Sequence, residues 1–264
     1  MKKIITMLIS LLLLLTLVAC SSNKGQETSD APKNQLEAIK EAGSMNIATE
    51  GMWAPYTYEE NGILTGYDVE VARAICEKLG VEANFITGDF DGFLIGLDNG
   101  VYDSVFNCID VTEERSAKYD FSDPYINSTV VLIVALDNEE ITSFEDLNGK
   151  TTTNTITSSY AGTAQEYGAT VIGANTFEET INLVLQGRAD ATINSEGSFN
   201  DYMAVHPDTP LKAVASYTTY AAAPLRKGET ELRDAINDAL KQLKQEGKLT
   251  ELSIKFFGED VSGK

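Results

Sequence analysis

MNIATEGMWAPYTYEENGILTGYDVEVARAICEKLGVEANFI, residues 45–86, decides the fold. It opens on a short strand, MNIAT, and turns at Asn61-Gly62. A helix follows, with Asp68 as candidate N-cap, Val69, Ala72, Ile75, Cys76 and Leu79 on one face, and Gly80 as its stop. The strand VEANFI closes the unit. Strand, helix, strand in this order predicts a parallel pair with the helix packed on its face, so the chain reads as α/β.

Outward from that unit the alternation continues. FDGFLIGLDN (90–99) reads as a helix ending at Gly100, YDSVFN (102–107) as a strand, and TVVLIVAL (129–136) as an apolar strand. A second series follows: a short SFEDL helix, the strand TTTNTI, a helix near Tyr160 to Tyr167, the strand ATVIGA and the helix FEETINLVLQ. An internal echo links the two series. GVYDSVFN (100–107) and GRADATIN (187–194) share G-x-x-D-x-x-x-N, each after an amphipathic helix. Two similarly built lobes predict this, each sending the carboxyl end of a strand toward a shared crevice, where open α/β sheets place ligands. The final helix from Glu229, with Leu232, Ile236, Leu240 and Leu243 on one stripe, has the pattern of a helix that packs back on a core.

Composition narrows the function. At 264 residues, 43% hydrophobic and 23% charged, the chain can fill two modest domains. A net charge of −20 argues against nucleic acid as partner. One histidine and three cysteines, with no C-x-x-C pair, leave no material for a zinc site or a Cys/His dyad. Neither a metal nor another cofactor is expected. Gly149-Lys150-Thr151 imitates half of a nucleotide-binding loop, but Phe144 stands where its first glycine belongs. His206 reads as a turn residue, and Cys76 as a small buried hydrophobe. A Cys76–Cys108 disulfide is conceivable in an exported protein but is not expected between a helix face and a strand end.

The amino terminus, MKKIITMLISLLLLLTLVAC, pairs two lysines with an apolar run. That is the form of a signal peptide over residues 1–19, short for a membrane span of about 20 apolar residues. Its end, Leu17-Val18-Ala19-Cys20, is similar to a bacterial lipobox, which implies acylation of Cys20. The polar stretch 20–35 then reads as a flexible tether. More than one acyl chain, palmitate for instance, would anchor the protein to the outer face of the cell membrane as a lipoprotein.

The segments at 51–75, TEERSAKYDFSDPY (112–125), QGRADATIN (186–194) and GKLTELSIKFFGED (247–260) resemble the extracytoplasmic solute-binding proteins of polar amino acid ABC transporters, the bacterial family 3 type. TSSYAGTAQEYGA (157–169), GRADATIN and the carboxyl-terminal segment are most similar to the cystine-binding branch. The resemblance implies a two-lobed periplasmic-binding-protein-like fold, each lobe a mixed, mostly parallel sheet flanked by helices, with two hinge crossings. Lobe 1 would be 36–126 plus 222–264 and lobe 2 would be 127–221. It further implies a monomer that binds an amino acid, cystine first, and delivers it to a transmembrane permease without doing chemistry. The competing functions are an enzyme on the same scaffold, such as a dehydratase of cyclic amino acid precursors, and a non-transport sensor or adhesin.

Site residues follow from the same resemblance. Arg115 matches the arginine that grips the ligand carboxylate through two charge-assisted bonds. Ser158 and Ser159 match hydroxyl residues at a helix start. Trp53 and Phe90 fall where flat walls stack on the ligand side chain, and Asn107, Cys108, Asn194 and Ser195 lie at the crevice ends of the two echoed strands. Two departures stand out. Where relatives carry aspartate for the ammonium this chain has Ser195-Glu196, so either Glu196 or Glu50 takes that task. Asp110 replaces a Ser or Thr beside the carboxylate, and must turn away, offer only its backbone N–H, or face a second cationic group on the ligand.

Overall fold

The unit at 45–86 forms as its pattern predicts. In the computed structural model, which describes residues 33–263, α1 (Gln35–Ala42) precedes β1 (Ser44–Thr49). A small antiparallel sheet follows, β2 (Met52–Trp53), β3 (Thr57–Glu60) and β4 (Ile63–Thr65), then α2 (Tyr67–Leu79) and β5 (Glu82–Thr87). β5 runs parallel to β1 in register from Ser44↔Glu82 to Thr49↔Thr87. The expected signal peptide, Cys20 and most of the expected tether lie outside the described residues.

The start of α2 differs from the sequence reading. Its N-cap is Gly66, at φ 122°, and Asp68 lies inside the first turn, buried. A Cβ at residue 66 would stand 2.2 Å from the Tyr56 carbonyl oxygen, so only glycine lets the two segments approach. The predicted helix 90–99 is a 3₁₀ turn, Phe90–Gly92, running into α3 (Phe93–Asp98). The predicted strand 102–107 pairs only as β6 (Ser104–Val105), parallel to β1, and the chain leaves the sheet at Cys108, whose φ is 47°.

Next come α4 (Glu113–Lys118), β7 (Tyr119–Phe121) and the long β8 (Ile126–Ala135). Beyond them lie β9 (Thr151–Asn154), α5 (Ser159–Glu166), β10 (Thr170–Gly173), α6 (Phe177–Leu185), β11 (Ala191–Ser195), α7 (Glu196–Val205) and β12 (Leu211–Ala221). The second sheet has the order β10-β9-β11-β8-β12, parallel across the first three strands and antiparallel at β8 and β12. β8 and β12 pair along their length to Ile126↔Ala221, so the two passages of chain between the sheets run side by side. After β13 (Pro224–Arg226), which pairs with β7, the chain ends in α8 (Thr230–Gln245) and α9 (Lys248–Phe257).

Leu232, Ile236, Leu240 and Leu243 of α8 are buried in one cluster with Met45, Ile47 and Ile75, and α8 and α9 both pack on α2. Val130, Leu132, Ala191 and Ile193 centre a separate cluster on the second sheet. Cys76 is buried among apolar side chains, and both it and Cys108 are free thiols.

Candidate functional site: a cleft between two sheets

The echoed motifs account for how the cleft is framed. Gly100 and Gly187, at φ 70° and 66°, end their helices with left-handed backbone. Asp103 then accepts the Asn46 N–H at 2.7 Å, and Asp190 accepts the Thr151 N–H at 2.8 Å. Each aspartate therefore clamps the start of the neighbouring parallel strand, β1 in one sheet and β9 in the other. Four residues on, Asn107, just past the end of β6, and Asn194, near the end of β11, line one cavity of about 60 Å³.

Glu50, Trp53, Phe90, Cys108, Arg115, Ser158 and Ser159 line the same cavity as the two asparagines. Asn107 orients Glu50 doubly: its Nδ2 donates to the carboxylate at 2.7 Å and its Oδ1 accepts the Glu50 N–H at 2.8 Å. The Trp53 indole stacks on Tyr56 with centroids 4.4 Å apart and donates to Asn194 Oδ1 at 3.3 Å, from one sheet region to the other. Arg115 is only 8% exposed. Its guanidinium donates to the carbonyls of Asp110 and Thr157, each at 3.1 Å, and lies 6.0 Å from the Phe90 ring.

Three of the expected residues are not brought to this cavity. Ser195 is buried and caps α7 by accepting the Ser198 N–H. Glu196, in the first turn of α7, faces away from the cleft and lines a different cavity of about 160 Å³ with Asp201, Ser128 and Phe257. The reason is local: with Ser195 spent as the cap, the chain has already turned into the helix. Asp110 turns from the cavity. Its carboxylate accepts from the Ser159 hydroxyl, and from the Thr219 hydroxyl at 3.2 Å.

The structure adds residues that sequence reading missed. Asn154, at the carboxyl end of β9, lines the cavity and is buried, its Nδ2 donating to the Ile193 carbonyl at 2.7 Å while its Oδ1 has no partner among the described residues. Thr176 and Phe177, at the start of α6, line it as well. The signals were present: Asn154 stands at the carboxyl end of its strand, as Asn107 and Asn194 stand at or just beyond the ends of theirs, and T-x-x-E at 176–179 has the spacing of a helix start, with Thr176 accepting the Glu179 N–H and Glu179 accepting the N–H of Asn175, the residue before the cap.

Electrostatically the cavity has two poles. Two helix N-termini, α5 capped by Ser158 and α6 capped by Thr176, reach it together with Arg115, an arrangement suited to a carboxylate. Burial lowers the pKa of Arg115, and Asp110 opposes that effect. The other pole is Glu50. Burial pushes its carboxyl up to about 7; the Asn107 bond pulls down, and the nearby charges of Asp89 and Asp91 push up. A cationic group beside Glu50 would favour the ionised form. Among the described residues no group of His, Cys, Asp and Glu is arranged to hold a metal ion.

Two sheets with their strand ends converging on a polar cleft, joined by paired crossings, define the architecture of a two-lobed solute-binding protein. The model of the bacterial extracellular solute-binding proteins, family 3, matches residues 45–259, and the chain belongs to that family. It is therefore an exported protein. Among individual relatives, the L-cystine-binding protein TcyA of Bacillus subtilis (strain 168) is 34% identical, the match covering 99% of this chain and 100% of that one. An ancestral arginine-binding protein bound to arginine superposes with a TM-score of 0.76 at 33% identity, over 82% of this chain and 99% of the other. The L-cystine solute receptor of Neisseria gonorrhoeae, in an unliganded open conformation, gives 0.58 at 36% identity, over 87% and 99%.

Proposed function

We propose that the protein captures an amino acid outside the cytoplasm, closes its lobes on it and presents it to the transmembrane permease of an ABC importer. The observation that carries this reading is the polarity of one cavity: Glu50 at one pole, Arg115 with two helix N-termini at the other. An α-amino acid has the matching pair of charges. The Arg115 fork takes the carboxylate, Glu50 the ammonium, and Trp53 and Phe90 supply flat apolar walls.

L-cystine is the first ligand, supported by the relationship to TcyA. The acidic surroundings of Glu50 suit a ligand with a second cation, which L-cystine and L-arginine share, and the ancestral protein bound to arginine makes arginine the second choice. No step of this function breaks a bond, so the protein is a receptor and not an enzyme. L-cystine incubated with it should return unchanged by mass spectrometry, and a new product would favour the dehydratase-like reading.

The lobes are 36–126 with 222–264, and 127–221. That division is supported by a single apolar cluster holding side chains from both flanks of the chain. A monomer suffices, since every group named belongs to one chain. Acylated Cys20 holds the protein to the outer membrane face through the 20–35 tether. In Cys20→Ser the body should leave the membrane fraction and still bind ligand, because among the described residues none that lines the cavity precedes Glu50. Retention in the membrane pellet after signal cleavage would remove the lipid anchor.

The decisive experiment for the site is calorimetric titration of L-cystine and L-arginine into the parent protein and Arg115→Ala. Truncating one partner of a desolvated charge pair costs about 2–5 kcal/mol, so the variant should lose at least about thirtyfold in affinity. Near-parent binding by a folded Arg115→Ala protein would take the arginine out of the site.

A further inference from the structure

We infer that Asp110 is a positioning residue that holds the two lobes together, a buried latch joining the first-lobe loop to the Ser159 and Thr219 hydroxyls of the second lobe. The inference uses the lobe closure proposed above, and concerns the equilibrium before any ligand is added. Its basis is geometric. Asp110 is 5% exposed, and each of its carboxylate oxygens accepts from a hydroxyl on a different element of the second lobe.

The two bonds have different places in a closing motion. Asp110 forms an isolated β-bridge with Ala221, its neighbour Val111 donates its N–H to the Tyr220 carbonyl, and Ala222 donates to the Ile109 carbonyl. The backbone around Asp110 is thus fastened to the crossing itself, and Thr219 lies two residues before Ala221. A rotation about the crossings moves Thr219 least, so the Thr219 bond aims the carboxylate in either state. Ser159 begins α5, on the body of the second lobe, so its bond exists only when the lobes meet.

Other polar bonds also join the lobes: the Arg115 guanidinium donates to the Thr157 carbonyl at 3.1 Å and the Ser198 hydroxyl to the Ala54 carbonyl at 2.8 Å, each with a neutral backbone acceptor. Thr157 donates to Asp91 at 2.6 Å, but in an exposed position where water competes. Trp53 to Asn194 is a neutral pair at 3.3 Å. The Asp110–Ser159 bond combines a carboxylate acceptor with burial, the conditions under which a hydrogen bond is strongest. At this position aspartate reaches Ser159 across the lobes and does not line the cavity.

The test reads the lobe equilibrium directly. In a Cys20→Ser background, spin labels at Glu59→Cys and Glu178→Cys, both exposed and one in each lobe, report the distance distribution by pulsed electron resonance. Without ligand, Asp110→Ala and Ser159→Ala should each move the closed-to-open ratio toward open by about tenfold, the scale of one hydrogen bond to a charged group. Asp110→Asn, which can accept from Thr219 and donate to the Ser159 oxygen, should recover most of the closed population. Thr219→Val should give an intermediate loss. A ligand-free distribution unchanged in both Asp110→Ala and Ser159→Ala, with thermal unfolding confirming that they fold, would overturn the latch. Adding L-cystine separates this inference from the proposed function: failure of the parent protein to close on L-cystine or L-arginine counts against the ligand assignment, while the ligand-free comparison still decides the latch.

Discussion

Glu50 is the residue where chemistry and acidity meet. Its carboxyl is held by Asn107 at the edge of the cavity and burial pushes its pKa up to about 7. The sign for stability follows from proton counting: with the folded value above the ordinary 4.5, the native state holds the proton more tightly. This group's contribution is therefore fully present below about pH 4.5 and is lost as pH rises through 7. Ligand binding runs the other way. A cation requires ionised Glu50, so affinity should fall about tenfold for each pH unit below 7, a direct consequence of the protonated fraction. Glu50→Gln should bind weakly and lose this pH dependence, a result that titrations at pH 5, 6 and 7.5 would check. A slope that survives in Glu50→Gln would place the titrating group elsewhere. Asp68, also pushed up to about 7 by burial, does not line the cavity and gives the control: Asp68→Asn should leave the pH slope of binding in place.

At the scale of elements, the repeated G-x-x-D-x-x-x-N shows both what the sequence can tell and where it stops. The motif was legible because one physical task recurs: glycine ends a helix, aspartate fastens the next strand to its parallel neighbour, and asparagine arrives at the strand end four residues later. The two aspartates differ in burial, and their substitutions should differ accordingly. Asp103 is 6% exposed and its removal strands the Asn46 N–H, so Asp103→Ala should cost about 1–3 kcal/mol. Asp190 is exposed, water can replace it, and Asp190→Ala should cost less than about 1 kcal/mol. Urea unfolding midpoints of the two variants decide this, and equal losses would refute the burial argument. The structure places Arg115, Ser159 and both asparagines at the cleft, where strand and helix ends put them. Glu196 is not placed there, because a cap at Ser195 rotates the next residue out of the cleft, and a linear pattern does not carry that rotation. The orientation of Asp110 depends on Ser159 and Thr219, 49 and 109 residues away, and spacing alone could not choose among its alternatives.

At the scale of the molecule, the question is whether the lobes move as units, and Trp53 supplies the reporter. It is the single tryptophan of the chain, so emission at its wavelength has one source. It packs against the apolar clusters of both lobes, stacks on Tyr56 and donates to Asn194 across the cleft. Opening would strip away the second-lobe contacts and wet the indole. The gonococcal receptor in its open conformation superposes with a lower score than the arginine-bound ancestral protein although its sequence identity is higher. Saturation with L-cystine should therefore shift the Trp53 emission to shorter wavelength, and the same shift should appear with any ligand that closes the cleft. Asn194→Ala removes only a neutral hydrogen bond, worth about 1 kcal/mol or roughly fivefold in affinity, and should leave the saturated spectrum nearly as blue as the parent's. If calorimetry shows saturation while the emission maximum stays fixed, the indole is equally buried in both states. Closure would then have to pivot on contacts other than those between Trp53 and the second lobe.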